Sequence, residues 1–514
     1  MLRPVQLNKY VANCTGYPAA AVVVGQPRIK VVRHRRTGLP SFTNEVPNLA
    51  FTLDLNRNAE RSLVEQIVAT LTAAITSRAL RAGDALPSVR QLAREQGLSA
   101  FTVSEAYQRL VASGQVVAKR GASYRVVDKR APPPPVTPEW SAPTLNAAWL
   151  LSDVFADHSV PIKAGCGWIP GEWINESGLQ HALRTLSRVP GARFGGYGHP
   201  YGMATLREQI AARLRRNDIP AEAANVLLTQ GATQALDLVV RTLLRPGDTV
   251  IVEDPCYCNL LQILQLAGLK VVGLPRNADG HDLEQLAQLI KRARPKAIFV
   301  NTVLQNPSGT TLPLGSAKGL LEIADQHGLW VIEDDIYREL APEGAPCLAA
   351  LEGLRRVIYI SGFSKTITPT LRVGYVAAHA DILASLARSK MAVGLTSSEV
   401  TERVVANVLS DGHYQQHLKF LTDKLKQTHQ RVCASMLAAG VEIFAQPEAG
   451  LFLWGRLPID AKQSTSVATR ALKHGIWLAP GAYFRPEDRA SNWFRFNVAN
   501  SDHPVLWDFI RTLA

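Results

Sequence analysis

Four consecutive prolines at 132–135, inside "DKRAPPPPVTPEWSAP", constrain this chain more than any other short stretch. Proline lacks an N–H and has a fixed φ. Such a run cannot enter a helix interior or a sheet ladder, and it extends as a polyproline II spacer. The segments on its two sides must therefore fold apart from each other. At 514 residues the chain is also too long for one compact core. It reads as a basic, irregular extension at 1–50, a small domain at 51–127, a linker at 128–159 and a large domain at 160–514.

Charge divides at the same place. Of the net +13, residues 1–50 carry seven Lys/Arg against one acid, and residues 51–130 carry twelve against seven. The remaining 384 residues are nearly balanced, at 37 bases to 35 acids. The basic first quarter points to a polyanionic partner for that part alone. A composition of 46% hydrophobic and 19% charged residues is that of an ordinary globular protein. No apolar run approaches the ~20 residues of a membrane span, and the first residues lack the pattern of a secretory signal. Six cysteines without a Cys-x-x-Cys argue against a disulfide framework or a zinc site, Cys256 and Cys258 included. The expected compartment is the cytoplasm, with neither membrane nor metal as partner.

In the small domain, Leu63, Ile67, Leu71 and Ile75 form the stripe of an amphipathic helix. "LPSVRQLAREQGLSA" then reads as helix, turn, helix. Ser88 and Gln91 make a capping-box pair, Gly97 suits a left-handed helix end, and Ser99 caps the next helix. That third helix, about 99–113, packs through Val103, Ala106, Tyr107 and Leu110. Its N-terminal turn holds Ala100, Phe101, Thr102 and Ser104, where groove contacts usually arise. The alternation in "QVVAKRGASYRVV" predicts a two-stranded wing with Lys119 and Arg120 at its turn. By itself this pattern also suits a helical dimerisation module.

Beyond the linker, "NVLLTQ", "DTVIVED", "KAIFVN", "LWVIED" and "RVIYIS" alternate with helical patterns, which reads as α/β with a mostly parallel sheet. Chemistry-bearing residues sit just after these runs. "TQGATQALDL" leads a strand through Gly231 into a helix whose N-terminus can hold a phosphate. Tyr257, Asn306, Asp334 and Tyr337 come next, and then "SGFSKTITPTLRVGY" places Lys365 seven residues before Arg372. "WFRFNVA" near the C-terminus adds Arg495, a fork suited to a carboxylate. Singly, each has an ordinary structural alternative such as a solvated strand end or a surface ion pair. Together they are what pyridoxal phosphate requires. That group needs an amine for its aldehyde, an acid for its ring nitrogen, donors for its ring oxygen and a cationic cradle for its phosphate.

Residues 55–127 resemble the winged-helix domain of the GntR family, through "LPS-x-R-x-LA" and "S-x-x-TV-x-x-AY-x-x-L". The resemblance implies DNA contacts from Arg90, Ser99, Thr102, Lys119 and Arg120. The family usually has arginine where Ala100 stands, glycine where Arg78 stands, and a second wing glycine near Ser123. Residues 160–514 resemble fold-type I pyridoxal-phosphate proteins, the class I/II aminotransferases, at "Asn-Pro-x-Gly", "Asp-x-x-Tyr" and "Ser-Lys…Arg-x-Gly". That resemblance makes Lys365 the Schiff-base lysine and Asp334 the partner of the ring nitrogen. Asn306 and Tyr337 hold the ring oxygen, Tyr257 stacks on the ring, Ala232, Thr233 and Arg372 cradle the phosphate, and Arg495 binds a substrate carboxylate. Tyr197, in "FGGYGHPYG", reaches the phosphate of a second subunit, which implies a homodimer. Gly362 stands where the family often has Ser or Thr.

Joined through a linker, the two domains resemble the MocR subfamily of GntR regulators. The resemblance implies a DNA-binding regulator that senses pyridoxal phosphate and an amino compound. The alternatives are an active aminotransferase with a vestigial front domain, and a store for the cofactor.

Overall fold

The computed structural model describes residues 29–32, 50–57, 59, 61–77, 79–119, 123–127, 160–190, 195–447, 449–487 and 489–513. The chain divides into two compact units between Ser141 and Ala142, inside the proline-rich stretch, which itself lies outside the described residues.

In the first unit, strands β1 (Ile29–Val32) and β2 (Ala50–Leu53) pair antiparallel, with Ile29 opposite Leu53. The expectation that 1–50 is wholly irregular is corrected by β1. Four residues, IKVV, are too few to show an alternation in sequence.

Helix α1 (Leu63–Thr76) opens with a full capping box between Ser62 and Glu65 and buries Ile67, Thr70, Leu71 and Ala74. Leu63 and Ile75, expected in that stripe, are only half-buried at its margins. Helix α2 (Val89–Gln96) is capped by Ser88 and ends at Gly97, whose φ of +61° needs no Cβ. The expected Ser88–Gln91 box is only half made, because Gln91 turns its amide to Glu95 Oε1 at 2.9 Å.

Helix α3 (Ala100–Ala112) buries Val103, Ala106, Tyr107 and Leu110 as its spacing predicts. The Tyr107 hydroxyl donates to the Pro87 carbonyl at 3.0 Å, which ties α3 to the turn before α2. The wing consists of β4 (Val116–Lys119) and β5 (Ser123–Val126), and β3 (Ala85–Leu86) extends it to a three-stranded sheet.

The second unit is built on an eight-stranded sheet. Its strands are β6 (Val226–Thr229), β7 (Thr249–Asp254), β8 (Lys270–Asn277), β9 (Gly280–His281), β10 (Ala297–Val300), β11 (Trp330–Asp334), β12 (Val357–Gly362) and β13 (Gly374–Ala377). Their order is β6-β13-β12-β11-β10-β7-β8-β9. The centre, β12-β11-β10-β7-β8, is parallel, while β13 runs antiparallel to both β12 and β6.

Alternate residues of these strands feed two cores. Leu228, Ile251, Ile298 and Tyr359 pack on one face with the helix Ala204–Arg216. Leu227, Val250, Phe299 and Ile358 pack on the other, against α4 (Ala232–Leu243) and the helix Ala380–Gly394. Burial on both faces is why the strands read as continuous apolar runs, each large side chain contributing about 1.5–3 kcal/mol. A four-stranded antiparallel sheet completes the unit, in the order β14 (Glu442–Ile443), β15 (Phe452–Arg456), β17 (Trp493–Asn497) and β16 (Ala479–Pro480). Among the described residues, no helix is long and apolar enough to cross a membrane.

A buried polar network lies behind the ends of the central strands. Arg276 Nη1 donates to Glu253 Oε1 at 2.6 Å, and His281 Nε2 lies 3.0 Å from the same oxygen. Glu253 Oε2 accepts from the Asn301 backbone at 2.9 Å. Burial would raise the Glu253 carboxyl, but the Arg276 guanidinium holds it below the usual carboxylate range. Breaking one side of such a pair strands a charge. Arg276→Met is expected to lower unfolding free energy by about 3–5 kcal/mol, and the double change Glu253→Gln/Arg276→Met to recover part of that loss in urea titrations of the protein.

Candidate functional site

The C-terminal ends of β6, β7, β10, β11 and β12 face a cavity of about 630 Å³, where open α/β sheets place their ligands. Ala232, Thr233, Tyr257, Asn306, Asp334, Tyr337, Lys365, Arg372 and Arg495 all line it. The remaining large-domain candidate, Tyr197, stands apart on the surface of the chain, 84% exposed.

Three consecutive acids lie at the end of β11, and the structure separates their roles. Glu333 accepts the Thr302 hydroxyl at 2.6 Å and the N–H groups of Leu348 and Ala349 at 2.8 Å. Asp335 is paired through Oδ2 with Arg338 at 2.7 Å. Asp334 faces the cavity; its carboxylate accepts from the Ile336 backbone N–H, while its Oδ1 is buried with no hydrogen-bond partner among the described residues. Burial pushes its carboxyl up to about 7. A buried acceptor left unmatched is costly. A protonated ring nitrogen would match it.

Lys365 is half-buried at the cavity wall, and its Nζ donates to the Gly167 carbonyl at 2.6 Å. Burial, reinforced by the positive charge of Arg495, lowers its amine to about 8. A neutral amine is therefore accessible near physiological pH, as attack on an aldehyde requires. The donor set thus fits pyridoxal phosphate.

The phosphate end has its own logic. Gly231 precedes α4 with φ of +81°, and a Cβ there would lie 2.6 Å from Arg372 Nη2. Glycine therefore lets the helix N-terminus and a guanidinium share one concavity, which suits an anion. Arg372 itself takes a left-handed φ of +52°, a conformation costing a non-glycine residue about 1–2 kcal/mol. Strain of that kind at a functional position indicates that the side chain's direction matters more than its backbone's comfort. The hydroxyl expected at 362 is absent, and Ser364 and Thr370 line the cavity instead. Ser361 turns away and donates to the Asp335 carbonyl at 3.0 Å.

On the ring side, burial pushes the Tyr257 hydroxyl up to about 12, with a hydrogen bond to Thr233 acting against it. Burial likewise holds Tyr337 well above the usual tyrosine value. Arg495 is 4% exposed; it donates to Asn306 Oδ1 at 2.9 Å and to the Gly165 carbonyl at 2.6 Å.

Several contributors escape sequence reasoning. Gly167, Trp168 and Trp477 line the cavity, yet no motif marks them. Asn301 donates to the Asp334 carbonyl at 2.6 Å, and its Oδ1 accepts from the Asn306 backbone at 2.8 Å. Asn301 thereby braces two site residues from behind. Its only sequence signal is its place at the end of the β10 run.

In the small unit, Arg90 is exposed on α2. Ser99 and Thr102 are bonded to each other in the α3 cap, their hydroxyls 2.8 Å apart. Phe101 beside them is 77% exposed. Lys119 ends β4, and Arg120 lies outside the described residues.

The profile of the aminotransferase class I and II family matches residues 175–513, and that of the bacterial regulatory proteins of the gntR family matches residues 63–126. The uncharacterized HTH-type transcriptional regulator YdcR of Escherichia coli (strain K12) is 31% identical over 448 residues, covering 85% of this chain and 94% of that protein. The chain belongs to the MocR-type regulators of the GntR family. Its kin include the "Probable rhizopine catabolism regulatory protein MocR" of Rhizobium meliloti, 29% identical over 457 residues, 85% of this chain and 89% of that one. Among solved structures, the large unit of this MocR-type chain is similar to LysN, an α-aminoadipate aminotransferase of Thermus thermophilus complexed with N-(5'-phosphopyridoxyl)-L-leucine. The TM-score is 0.64 at 27% identity, over 69% of this chain and 92% of that one.

The lowered amine of Lys365 has a consequence for stability. Its folded value of about 8 lies below the ordinary 10.5, so the cost of burying the ammonium is fully present below pH 8 and fades towards pH 10.5. In cofactor-free protein, Lys365→Met is expected to raise the melting temperature by a few degrees at pH 7. That gain should vanish in scans approaching pH 10.5.

Proposed function

We propose that this chain is a DNA-binding transcriptional regulator whose large unit holds pyridoxal phosphate at Lys365 and senses an amino compound there. The observation that carries the reading is one chain bearing both a winged helix with an exposed recognition end and a cavity pairing Lys365 with Asp334, whose Oδ1 is unmatched. Pyridoxal phosphate, when bound, supplies an aldehyde reactive towards amines and a ring that withdraws electrons.

The residues divide the work around it. Asp334 keeps the ring nitrogen protonated, and Asn301 fixes the strand end that carries it. The α4 N-terminus with Ala232, Thr233 and Arg372 holds the phosphate. Asn306 and Tyr337 face the ring oxygen, Tyr257 covers the ring, and Arg495 receives an acid group of the ligand. Lys365 offers the amine and can give or take a proton at Nζ. Arg90, Thr102 and the wing bases Lys119 and Arg120 meet DNA, Ser99 orients the α3 end, and Tyr197 reaches the site of a second copy in a homodimer.

A ligand can shift DNA binding only by preferring one of two arrangements of the dimer. An active aminotransferase is the second reading. The completeness of the cavity's charged set favours it, as does Ala100, which removes a cation from the recognition helix.

Two measurements test the proposal. Lys365→Ala should abolish the visible absorbance band of the cofactor-loaded protein while the dimer stays folded; a persisting band removes Lys365 from its role. In gel shifts on the DNA upstream of its own gene, loaded and cofactor-free protein should differ in affinity by about fivefold or more. Arg90→Ala should weaken binding on specific and unrelated sequences alike, as loss of a phosphate contact does. No shift, together with rapid amino-group transfer, would establish the enzyme instead.

A further inference from the structure

The exposed face of α3 describes the DNA it reads, an inference that rests on the DNA-binding role of this unit. The helix carries two charged residues, Glu105 and Arg109, and they are paired with each other at 2.6 Å. Its other residues are neutral. Val103, Ala106, Tyr107 and Leu110 form the buried stripe. At about 100° of rotation per residue, Phe101 stands almost directly opposite the middle of that stripe. Gln108, two turns on, is exposed on the same side, and Ser104 lies half-buried between them.

A single exposed aromatic means little on a protein surface. The position of Phe101 gives it meaning. It is 77% exposed in the first turn of α3, the end that a helix-turn-helix unit inserts into the major groove. That end is held in shape, since Ser99 Oγ accepts the Thr102 N–H at 3.0 Å and lies 2.8 Å from the Thr102 hydroxyl. Ala100, beside the ring, is exposed as well.

The major groove offers two features to such a surface, and only one suits it. Guanine is read best by an arginine or lysine fork on O6 and N7. The one arginine of α3 lies on its third turn, engaged with Glu105. Thymine is set apart by its C5 methyl, which alanine and phenylalanine can cover. Covering that methyl takes apolar surface of both partners out of water. A polar base edge under the ring would lose its water and gain no hydrogen bond. Arg90 and Arg94 on α2 are exposed and suit the phosphates, contacts that orient the helix without reading sequence.

We propose that Phe101 is a specificity-determining residue that covers a thymine methyl in the major groove, so that each half of the operator holds a thymine facing the α3 cap. A second copy in the homodimer repeats the contact on the other half-site.

The test uses the full-length protein, with and without pyridoxal phosphate, and duplexes that it selects from a random-sequence pool. The selected sites should share a thymine at one position of each half. Replacing that thymine by deoxyuridine deletes only the methyl, and should weaken binding about threefold to fivefold per half-site, the worth of one buried methyl. Phe101→Ala should bind the thymine and deoxyuridine duplexes equally, while Phe101→Leu should keep part of the difference. Both variants should melt as the parent does, because surface substitutions shift stability little; general damage to the domain would not erase the methyl preference alone. Deoxyuridine tolerated at every thymine, or a methyl preference that survives Phe101→Ala, would overturn the assignment and leave DNA binding standing. So would a Phe101→Ala protein with unaltered DNA affinity and a changed assembly size, which would make Phe101 a protein contact. If no duplex is retained in either state, the DNA-binding reading falls and this inference falls with it.

Discussion

The arrangement of the large unit depends on keeping one amine and one carboxylate, Lys365 and Asp334, at the wall of one cavity where burial disfavours the charged form of each. Burial moves them toward each other, the amine down to about 8 and the acid up to about 7. Neither group is fully matched by the protein's own atoms. The Gly167 carbonyl gives the lysine a single acceptor, and Asp334 Oδ1 has no partner. A group that matches them gains those interactions, which is how the site can be pre-organised for a cation-bearing ring and an aldehyde.

Such a pocket needs a rigid frame, and the frame is polar as well as apolar. Asn301 reaches forward to the Asp334 carbonyl and to the Asn306 N–H. Behind it, Glu253 accepts the Asn301 N–H while bonded to Arg276 and His281. A chain of hydrogen bonds thus runs from His281 in β9, at the sheet's edge, to the backbone carbonyl of Asp334. On the opposite wall, Asn497 bonds the carbonyls of Cys166 and Trp168, and Arg495 bonds that of Gly165. The strand β17 therefore supplies both Arg495 of the cavity wall and the clamp on the segment Gly165–Trp168. The two walls of the cavity are braced by different ends of the unit.

How much of this could be read in advance depends on which atoms act. The placement of Lys365, Asp334, Tyr257 and Asn306 around one cavity was legible because distinctive side chains mark them and each comes at or just after the end of an apolar run. The doubly buried strands β6, β7, β10, β11 and β12 were legible for the same reason. The segment Gly165–Trp168 was not, since it acts through backbone carbonyls and through glycines that let chains approach. Strand β8 was hidden by Gly273 and Pro275 within its run, and β13 by its brevity. The triad of Glu253, Arg276 and His281 draws on three strands and leaves no local spacing. In the first unit, the caps Ser88, Gly97 and Ser99 were legible to the residue, whereas the Ser62–Glu65 box was not read and Gln91 turns to Glu95 instead of closing its box; the exposure of Phe101 could be decided only by packing.

Linkage sets the terms on which the two units can communicate. If an amino compound changes affinity for DNA by a given factor, DNA must change affinity for that compound by the same factor, and typical couplings of about 1–3 kcal/mol correspond to factors of roughly 5–150. The cavity's energetics make such a coupling feasible without new contacts to DNA. Burial has moved the Asp334 and Lys365 equilibria in opposite directions, so states of the pocket with and without a group that matches them differ in local electrostatics. Only a part of that difference needs to reach the dimer's alternative arrangements for regulation to result. A catalyst would spend the same energy on the barrier of its chemical step, whereas a regulator requires that it appear in the ground state of a bound complex. The charged set is common to both, and the difference between them lies in where the free energy of ligand binding is released.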